Sequence, residues 1–152
     1  MKYKRLSIEE LEELREEFVN FLVVVGITAD EWSVLLKEEK DKASDIIDQF
    51  SDVVWEGVLR KAKYLHRITE RSIYAFHCEA DRIHLIRLTD CKSNADFNDE
   101  SYLAKRLRNP SGLRVAKKTK GYTKNREDEI YDLISTGCII SDGLLYRSLD
   151  RD

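Results

Sequence analysis

Four residues with metal-binding side chains lie close together in the middle of the chain: His77, Cys78, His84 and Cys91. Alternation along a strand places His77 and Cys78 on opposite faces, so both cannot reach one ion without a bulge. A structural zinc site needs four ligands at tighter spacings. We therefore expect no metal and no other cofactor, and interpret His77 and His84 as a half-exposed cross-strand pair. A metal-dependent enzyme that uses this pair is the alternative.

Other side chains with catalytic chemistry lack neighbours that would activate them. The glutamates of residues 9–17 fall mostly on the solvent side of a helix, where they make poor catalysts. Cys138 lies in an apolar run and is expected to be a buried, unreactive thiol. No histidine is placed by the sequence to activate Ser141, and there is no Walker loop, dinucleotide fingerprint or zinc-protease motif. We predict no catalytic residue, so an enzyme is less expected than a binding protein.

Charge is distributed unevenly along the 152 residues. The formal net charge is only −3, with 26 Lys and Arg against 29 Asp and Glu. Residues 7–52 carry a net charge of −10, whereas residues 101–126 carry +9 and contain no acidic residue. Such asymmetry bears on solubility and on the choice of partner rather than on the fold.

The basic segment 101–126 is a candidate interface for nucleic acid or the ribosome. Tyr102 and Tyr122 are interleaved with its bases, and a second basic cluster occupies residues 60–71. If the two met in space, they would form a cationic surface that neutralises phosphates. Solvated bases, or bases resting against the protein's own acidic helices, are the alternative. The residues assigned to this interface are Arg60, Lys61, Lys63, Arg67, Lys105, Arg106, Arg108, Arg114, Lys117, Lys118, Lys120 and Lys124.

Aromatic side chains offer a second route to a partner, because exposed aromatic residues anchor protein interfaces. Trp32, Trp55 and Tyr64 are the candidates. Ordinary core packing is the alternative for all three, and it is the favoured interpretation for Trp55. A protein partner reached through such residues would need no catalytic group.

The sequence predicts neither export nor membrane insertion. The basic start of the chain is followed by the acidic stretch of residues 7–13, which no signal-peptide core would contain. The longest apolar run, residues 21–25, is far shorter than the ~18–20 residues needed to cross a bilayer. Three cysteines without dense spacing fit a reducing compartment. We expect a cytoplasmic protein without a membrane partner.

Helical periodicity dominates the first 65 residues. A capping box at Ser7 and Glu10 begins a helix at about 7–25, and further helices are predicted at about 29–39 and 41–65. The first helix is apolar nearly all round at its far end. We therefore expect that end to be buried on more than one side.

After residue 65 the spacing of hydrophobic residues changes from about 3.6 residues, typical of a helix, to 2 residues, typical of a strand. Residues 73–88 are expected to form a hairpin with a two-residue loop, in which His77 lies opposite His84. The opposite charges of Glu79 and Arg82 favour this register. The remaining elements are predicted as a short helix at 100–108, a third strand at 113–118, and helices at about 124–136 and 142–149, capped by Thr123 and Ser141.

These elements predict one α+β domain spanning residues 1–152. Its N-terminal three-helix unit packs on a small antiparallel sheet of two or three strands, and two C-terminal helices follow. The favoured function is a non-catalytic protein-interaction module with an unidentified protein partner. A nucleic-acid- or ribosome-associated protein that binds through residues 101–126 is the alternative.

Four segments resemble a family of short uncharacterised proteins from bacteria of the Bacteroidetes group. They are residues 1–6, 26–32, 50–59 and 137–146, the last reading Gly-Cys-Ile-Ile-Ser-Asp-Gly-Leu-Leu-Tyr. The resemblance covers most of the chain and is strongest before residue 66. It implies a compact bacterial cytosolic domain, and it supplies no activity, cofactor or catalytic residue.

Overall fold

The computed structural model describes residues 2–150. Within them the chain forms seven helices and one five-stranded antiparallel sheet, so the predicted mixture of helix and sheet is confirmed. The residues group into two compact units, Met1–Val58 and Leu59–Asp152. A single domain over residues 1–152 stays a prediction.

The first unit is helical. Its elements are α1 (Ile8–Glu13), α2 (Arg15–Val24), α3 (Ala29–Glu38) and most of α4 (Lys40–Lys61). The predicted capping box is confirmed, since the Ser7 side chain accepts from the Glu10 amide and the Glu10 carboxylate accepts from the Ser7 amide. The single helix predicted at 7–25 is wrong, because the chain leaves helical geometry at Leu14, with φ −101° and ψ 25°.

Aromatic rings form part of the core of this unit. Phe18 meets Trp32 and Phe50 edge-on, with ring centroids 5.2 Å and 5.0 Å apart. The far end of α2 is exposed, however, and Leu22 is its one buried residue. The expectation that this end is buried on more than one side is therefore wrong, because a unit of about 60 residues leaves much of its surface in water.

No single helix among the described residues is long and apolar enough to cross a membrane. The pair α2 and α3 passes the same test together, by length and composition only. These two helices are bent by 98° at the break between them.

The second unit is built on the sheet. Its strands are β1 (Tyr64–Ile68), β2 (Ser72–Cys78), β3 (Arg82–Asp90), β4 (Leu113–Gly121) and β5 (Ile139–Ser141), in the order β4-β3-β2-β1-β5. The predicted hairpin register is confirmed, with His77 opposite His84. The predicted number of strands is too small, because β1 and β5 were not predicted. Leu65 of β1 continues the apolar stripe of the preceding helix, so residues 64–68 resemble a helical extension in the sequence. With three residues, β5 is too short to show a hydrophobic period.

Three helices accompany the sheet: α5 (Glu100–Arg108), α6 (Arg126–Ser135) and α7 (Leu144–Leu149). Asn125 caps α6 by accepting from the Asp128 amide, in place of the predicted Thr123. Gly143, with φ +88°, precedes α7 in place of the predicted cap Ser141, which belongs to β5. The Thr123 hydroxyl donates to Glu129 instead, and the Ser141 hydroxyl accepts from the Gly143 amide, one residue before α7 begins.

Helices pack against both faces of the sheet. On one face, the buried residues Ile73 and Leu88 pack with Phe97, while Ala75 and Ile86 pack with Tyr146 of α7. On the other face, Leu133 of α6 lines a cavity together with Phe76 and Leu85. Strand alternation thus divides β4, the edge strand beside β3, between the two faces.

Candidate nucleic-acid interface

The structure places Arg106, one of the predicted interface residues, in the interior. Its side chain donates to the Asp90 carboxylate at 2.8 Å and to the carbonyl oxygens of Asn109 and Ser111 at 3.0 Å and 2.8 Å. Arg106 is 5% exposed and Asp90 is fully buried. Arg106 therefore holds the second unit together and cannot reach a partner.

Two further predicted bases form exposed ion pairs. Lys117 Nζ lies 3.2 Å from Asp150, and Lys124 Nζ lies 2.7 Å from Asp132. Lys105 and Arg108 lie exposed in the last turn of α5, away from β4 in sequence. The nine bases of segment 101–126 are thus dispersed over several surroundings.

The second predicted cluster lies near the end of α4. Arg60 and Lys63 line a cleft of about 810 Å³ that also contains His77 and the acidic side chains of Glu79 and Glu127. Lys61 is exposed at the last residue of the helix. The cleft has mixed charge, so it is less suited to phosphates than a purely cationic surface.

Arg67 belongs instead to a row of side chains that crosses the sheet. The register places Arg67 opposite Tyr74, Tyr74 opposite Arg87, and Arg87 opposite Ala116. The Arg87 guanidinium lies 5.3 Å from the Tyr74 ring centroid, within cation–π range. Both arginines are exposed and Tyr74 is half-buried, so the register places Tyr74 between two basic residues, of which Arg87 lies against the ring.

The edge strand β4 extends this row. Arg114, Lys118 and Lys120 occupy alternate positions and therefore share the face of Arg87, whereas Lys117 points to the opposite face. All three are exposed. The strand residues on this face include no acidic residue. We call the set Arg67, Tyr74, Arg87, Arg114, Lys118 and Lys120 the basic face.

A cavity of about 350 Å³ adjoins the basic face. It is lined by Phe76, Ile83, Leu85, Lys118, Lys120, Glu129, Asp132, Leu133 and Thr136. The floor comes from β2 and β3, the lysines from β4 and the remaining side chains from α6 and the residue after it. Because its walls combine apolar and charged groups, the cavity suits a ligand with a flat apolar body and polar edges.

The histidine pair belongs to a hydrogen-bonded cluster on the opposite face. His84 Nε2 lies 2.5 Å from a Glu79 carboxylate oxygen, and His84 Nδ1 lies 2.8 Å from the Thr119 hydroxyl. The hydrogen bond with His84 lowers the pKa of Glu79. His77 stacks on Tyr64 at 4.6 Å. Across residues 2–150, no group of three or more His, Cys, Asp or Glu is arranged to hold a metal ion.

The cysteines are free thiols in different surroundings. Cys138 is buried, as predicted, and burial raises its pKa. Burial also raises the pKa of Cys78, to about 11. Cys91 is exposed. Since the thiolate is the nucleophile, neither buried thiol is activated for catalysis.

The three aromatic candidates for a protein interface are packed within their own units. Trp32 meets Phe18, and Trp55 donates its indole N–H to the Lys4 carbonyl at 2.9 Å. Tyr64 lies against His77. All three side chains are only half-buried, so these contacts leave part of each ring exposed, and their role in an interface stays a prediction.

Tyr74 and Arg87 were absent from the predicted interface, although a signal for them exists. The predicted hairpin register pairs Phe76 with Leu85, and two further positions along it bring Tyr74 opposite Arg87. No pattern in the sequence predicts the cavity or the position of Glu129 in its wall. Both depend on how α6 lies against the sheet, which no local pattern specifies.

Comparison with known proteins gives the chain a family but no activity. No curated protein and no solved structure matches it. The resemblance to an uncharacterised family is confirmed at the level of family, because DUF6495 matches residues 1–151. The chain therefore belongs to DUF6495, a family of unknown function.

Proposed function

We propose that the protein binds single-stranded nucleic acid on the basic face. The observation that supports this function is the cross-strand row of Arg67, Tyr74 and Arg87 on a face whose strands carry no acidic residue. An aromatic ring on a sheet stacks an unpaired base, and cations beside it neutralise phosphates. The row offers both groups within one surface.

The geometry favours a single strand over a duplex. Stacking on Tyr74 requires a base that is not already stacked between neighbours. Alternate residues of a strand are about 7 Å apart, so Arg114 to Lys120 extends the cations over about 20 Å along β4. A chain of several nucleotides can therefore follow β4 while one base reaches Tyr74.

Charge reversal on β4 tests the proposal. We expect the triple variant Arg114→Glu, Lys118→Glu, Lys120→Glu to bind a single-stranded oligonucleotide at least tenfold more weakly than the unaltered protein. The salt dependence should also fall, by about 2 in the slope of log binding constant against log salt, because about three phosphate contacts are lost. Fluorescence anisotropy at several salt concentrations measures both quantities.

Two controls separate the basic face from charge in general. Lys117→Glu changes a base on the same strand that points to the opposite face, and we expect a much smaller effect. Lys37→Glu, Lys40→Glu, Lys42→Glu makes the same change in net charge within the first unit. The proposal would be contradicted if the binding constant did not depend on salt concentration. It would also be contradicted if the control variants lowered the affinity as much as the triple variant on β4.

A protein-interaction role is a second candidate, favoured by the exposed valines of α2. Val19, Val23 and Val24 are 52%, 70% and 83% exposed, and apolar patches of this kind often mark interaction sites. We expect Val23→Ser, Val24→Ser to retain the helical circular dichroism and to lose association with a stoichiometric partner. A protein that sediments as a monomer and co-purifies with no partner would count against this role.

A cytoplasmic location without a membrane partner remains part of the proposal. The three free thiols support a reducing compartment. Neither candidate function requires a catalytic residue.

A further inference from the structure

The cavity beside the basic face has the size and lining of a ligand site. Its volume of about 350 Å³ lies within the range of about 300–1,000 Å³ found for small-molecule pockets. Phe76 and Leu85 remain half-exposed there, as does Leu133 on the α6 side. An apolar body that covered these side chains would remove them from water.

One wall of the cavity holds a buried carboxylate that is fixed in place. Glu129 is only 9% exposed. Its Oε1 accepts from the Thr123 amide at 2.6 Å, the Lys124 amide at 3.3 Å and the Thr123 hydroxyl. Burial opposes ionisation, yet these hydrogen bonds, with the charge of Lys120, hold the pKa of Glu129 below its ordinary value. The carboxylate is therefore ionised at neutral pH.

The second oxygen of this carboxylate is the one left for a ligand. Among residues 2–150, no donor forms a hydrogen bond with Glu129 Oε2. Oε2 is also not among the enclosed polar atoms that lack a partner, so it is accessible from outside the protein. Asp132, the other acid of the wall, is exposed and pairs with Lys124 through one oxygen at 2.7 Å. Glu129 differs from it in being buried and held in one position by three donors, so it is the acid better placed to select a donor.

The opposite wall joins the cavity to the basic face. Lys118 and Lys120 line the cavity and also belong to the row of cations on β4. A nucleotide whose phosphate lies on these lysines can direct its base between Phe76 and Leu133. Lys118 and Lys120 would then lie beside the phosphate backbone of the nucleic acid, and the Glu129 carboxylate would lie beside the polar edge of the base.

We propose that this cavity binds one unstacked base that carries an exocyclic amino group, with Glu129 Oε2 accepting a hydrogen bond from that amine. Adenine, cytosine and guanine carry such an amine on the Watson–Crick edge. Uracil has no amine there, and its single N–H donor lies between two carbonyl oxygens that a carboxylate repels. This site rests on the proposed function, because the lysines of the basic face bring the nucleotide to it.

The test compares short homopolymers of adenylate, cytidylate and uridylate, each of about ten nucleotides. We expect the unaltered protein to bind the adenylate and cytidylate oligomers about tenfold more tightly than the uridylate oligomer. Glu129→Gln should abolish or reverse this preference. Its amide oxygen can keep the bonds from Thr123 and Lys124, while its NH₂ group faces the cavity and donates to uracil.

A second variant covers the case in which Glu129→Gln does not fold, as checked by circular dichroism. Leu133→Phe fills the cavity and should remove the base preference while the salt dependence persists. Leu144→Phe is the matched control, because Leu144 is 64% exposed and lies outside the cavity. It should leave the preference unchanged.

The outcomes separate this site from the basic face itself. Salt-dependent binding without a preference between adenylate and uridylate would overturn the cavity site and leave the basic face standing. A preference that survives in folded Glu129→Gln and in Leu133→Phe would overturn it as well. Failure to bind any of the three oligomers would overturn both proposals.

Discussion

Replacing Asp90 by alanine should lower the free energy of unfolding by about 3–5 kcal/mol, because it leaves a buried arginine without its partner. Asp90 is fully buried and accepts from the Tyr102 hydroxyl at 2.5 Å, Arg106 at 2.8 Å and the Lys92 amide at 3.1 Å. Without the carboxylate, the positive charge of Arg106 stays inside the second unit uncompensated. This cost exceeds that of losing an exposed ion pair.

The same pair makes stability depend on pH in the acid range. Burial favours the neutral acid, but the hydrogen bonds from Tyr102, Arg106 and Lys92 outweigh it and lower the pKa of Asp90 from 3.8 to about 2. A pKa that is lower in the folded state stabilises the fold above the unfolded value. The contribution of Asp90 is therefore complete above about pH 5 and is lost as the pH falls through 3.8 towards 2. Asp90→Ala should lack this part of the acid transition.

Urea unfolding followed by circular dichroism, with amide exchange of β2 and β3, measures these effects. Asp81→Ala is the control, because Asp81 is exposed in the hairpin loop and pairs with its neighbour Arg82, at 3.4 Å. Asp81→Ala should cost much less than Asp90→Ala, because water screens an exposed ion pair. Asp90→Leu, Arg106→Met should be less damaging than Asp90→Ala alone, since no buried charge remains. Equal effects of Asp81→Ala and Asp90→Ala would contradict a structural role for the buried pair.

Gly143→Ala should destabilise the second unit by about 2–5 kcal/mol, the sum of backbone strain and overpacking. Gly143 has φ +88°, where a Cβ is unfavourable. A Cβ there would also meet the Tyr64 ring at 2.5 Å and Arg147 Nη1 at 2.7 Å. The ring cannot move freely, because it stacks on His77 at 4.6 Å and lies 5.8 Å from Tyr146.

Gly26→Ala is a matched control for the strain alone. Gly26 has φ +80°, and a Cβ added there would meet no atom within 4 Å, so we expect a cost of about 1–2 kcal/mol. Trp32 and Trp55 both lie in the first unit, and their fluorescence reports on this variant. Amide exchange of β1 and β2 reports on Gly143→Ala. If Gly143→Ala lowered the free energy of unfolding by no more than Gly26→Ala does, the Tyr64 ring would have moved aside, and the predicted overpacking would be contradicted.

The sequence predicted those parts of the fold that depend on local chemistry. The hairpin register follows from alternation around the loop at Ala80 and Asp81, and the cap at Ser7 follows from its own side chain. The predicted attraction between Glu79 and Arg82 is also present, since the charge of Arg82 lowers the pKa of Glu79 and the Glu79 amide donates to the Arg82 carbonyl at 2.9 Å. The direct side-chain contacts are with other partners, however: Glu79 binds His84, while Arg82 pairs with Asp81.

The candidate site was predictable only in part, because the net charge of a segment does not show to which face of the sheet each basic side chain points. Lys117 and Lys118 are adjacent in sequence, yet the pleat sends them to opposite faces. Arg106 adds to the charge of the same segment and is buried beside Asp90. The position of Glu129 behind Lys120 depends on the docking of α6, which the sequence pattern does not determine.

Binding of single-stranded nucleic acid to the basic face is tested most directly by the amide chemical shifts of the protein during titration with an oligonucleotide. We predict salt-sensitive shifts at Tyr74, Arg87, Lys118 and Lys120, with small changes at Lys117 and throughout α2. Shifts confined to other surfaces, or no shifts at low salt, would contradict the proposed function.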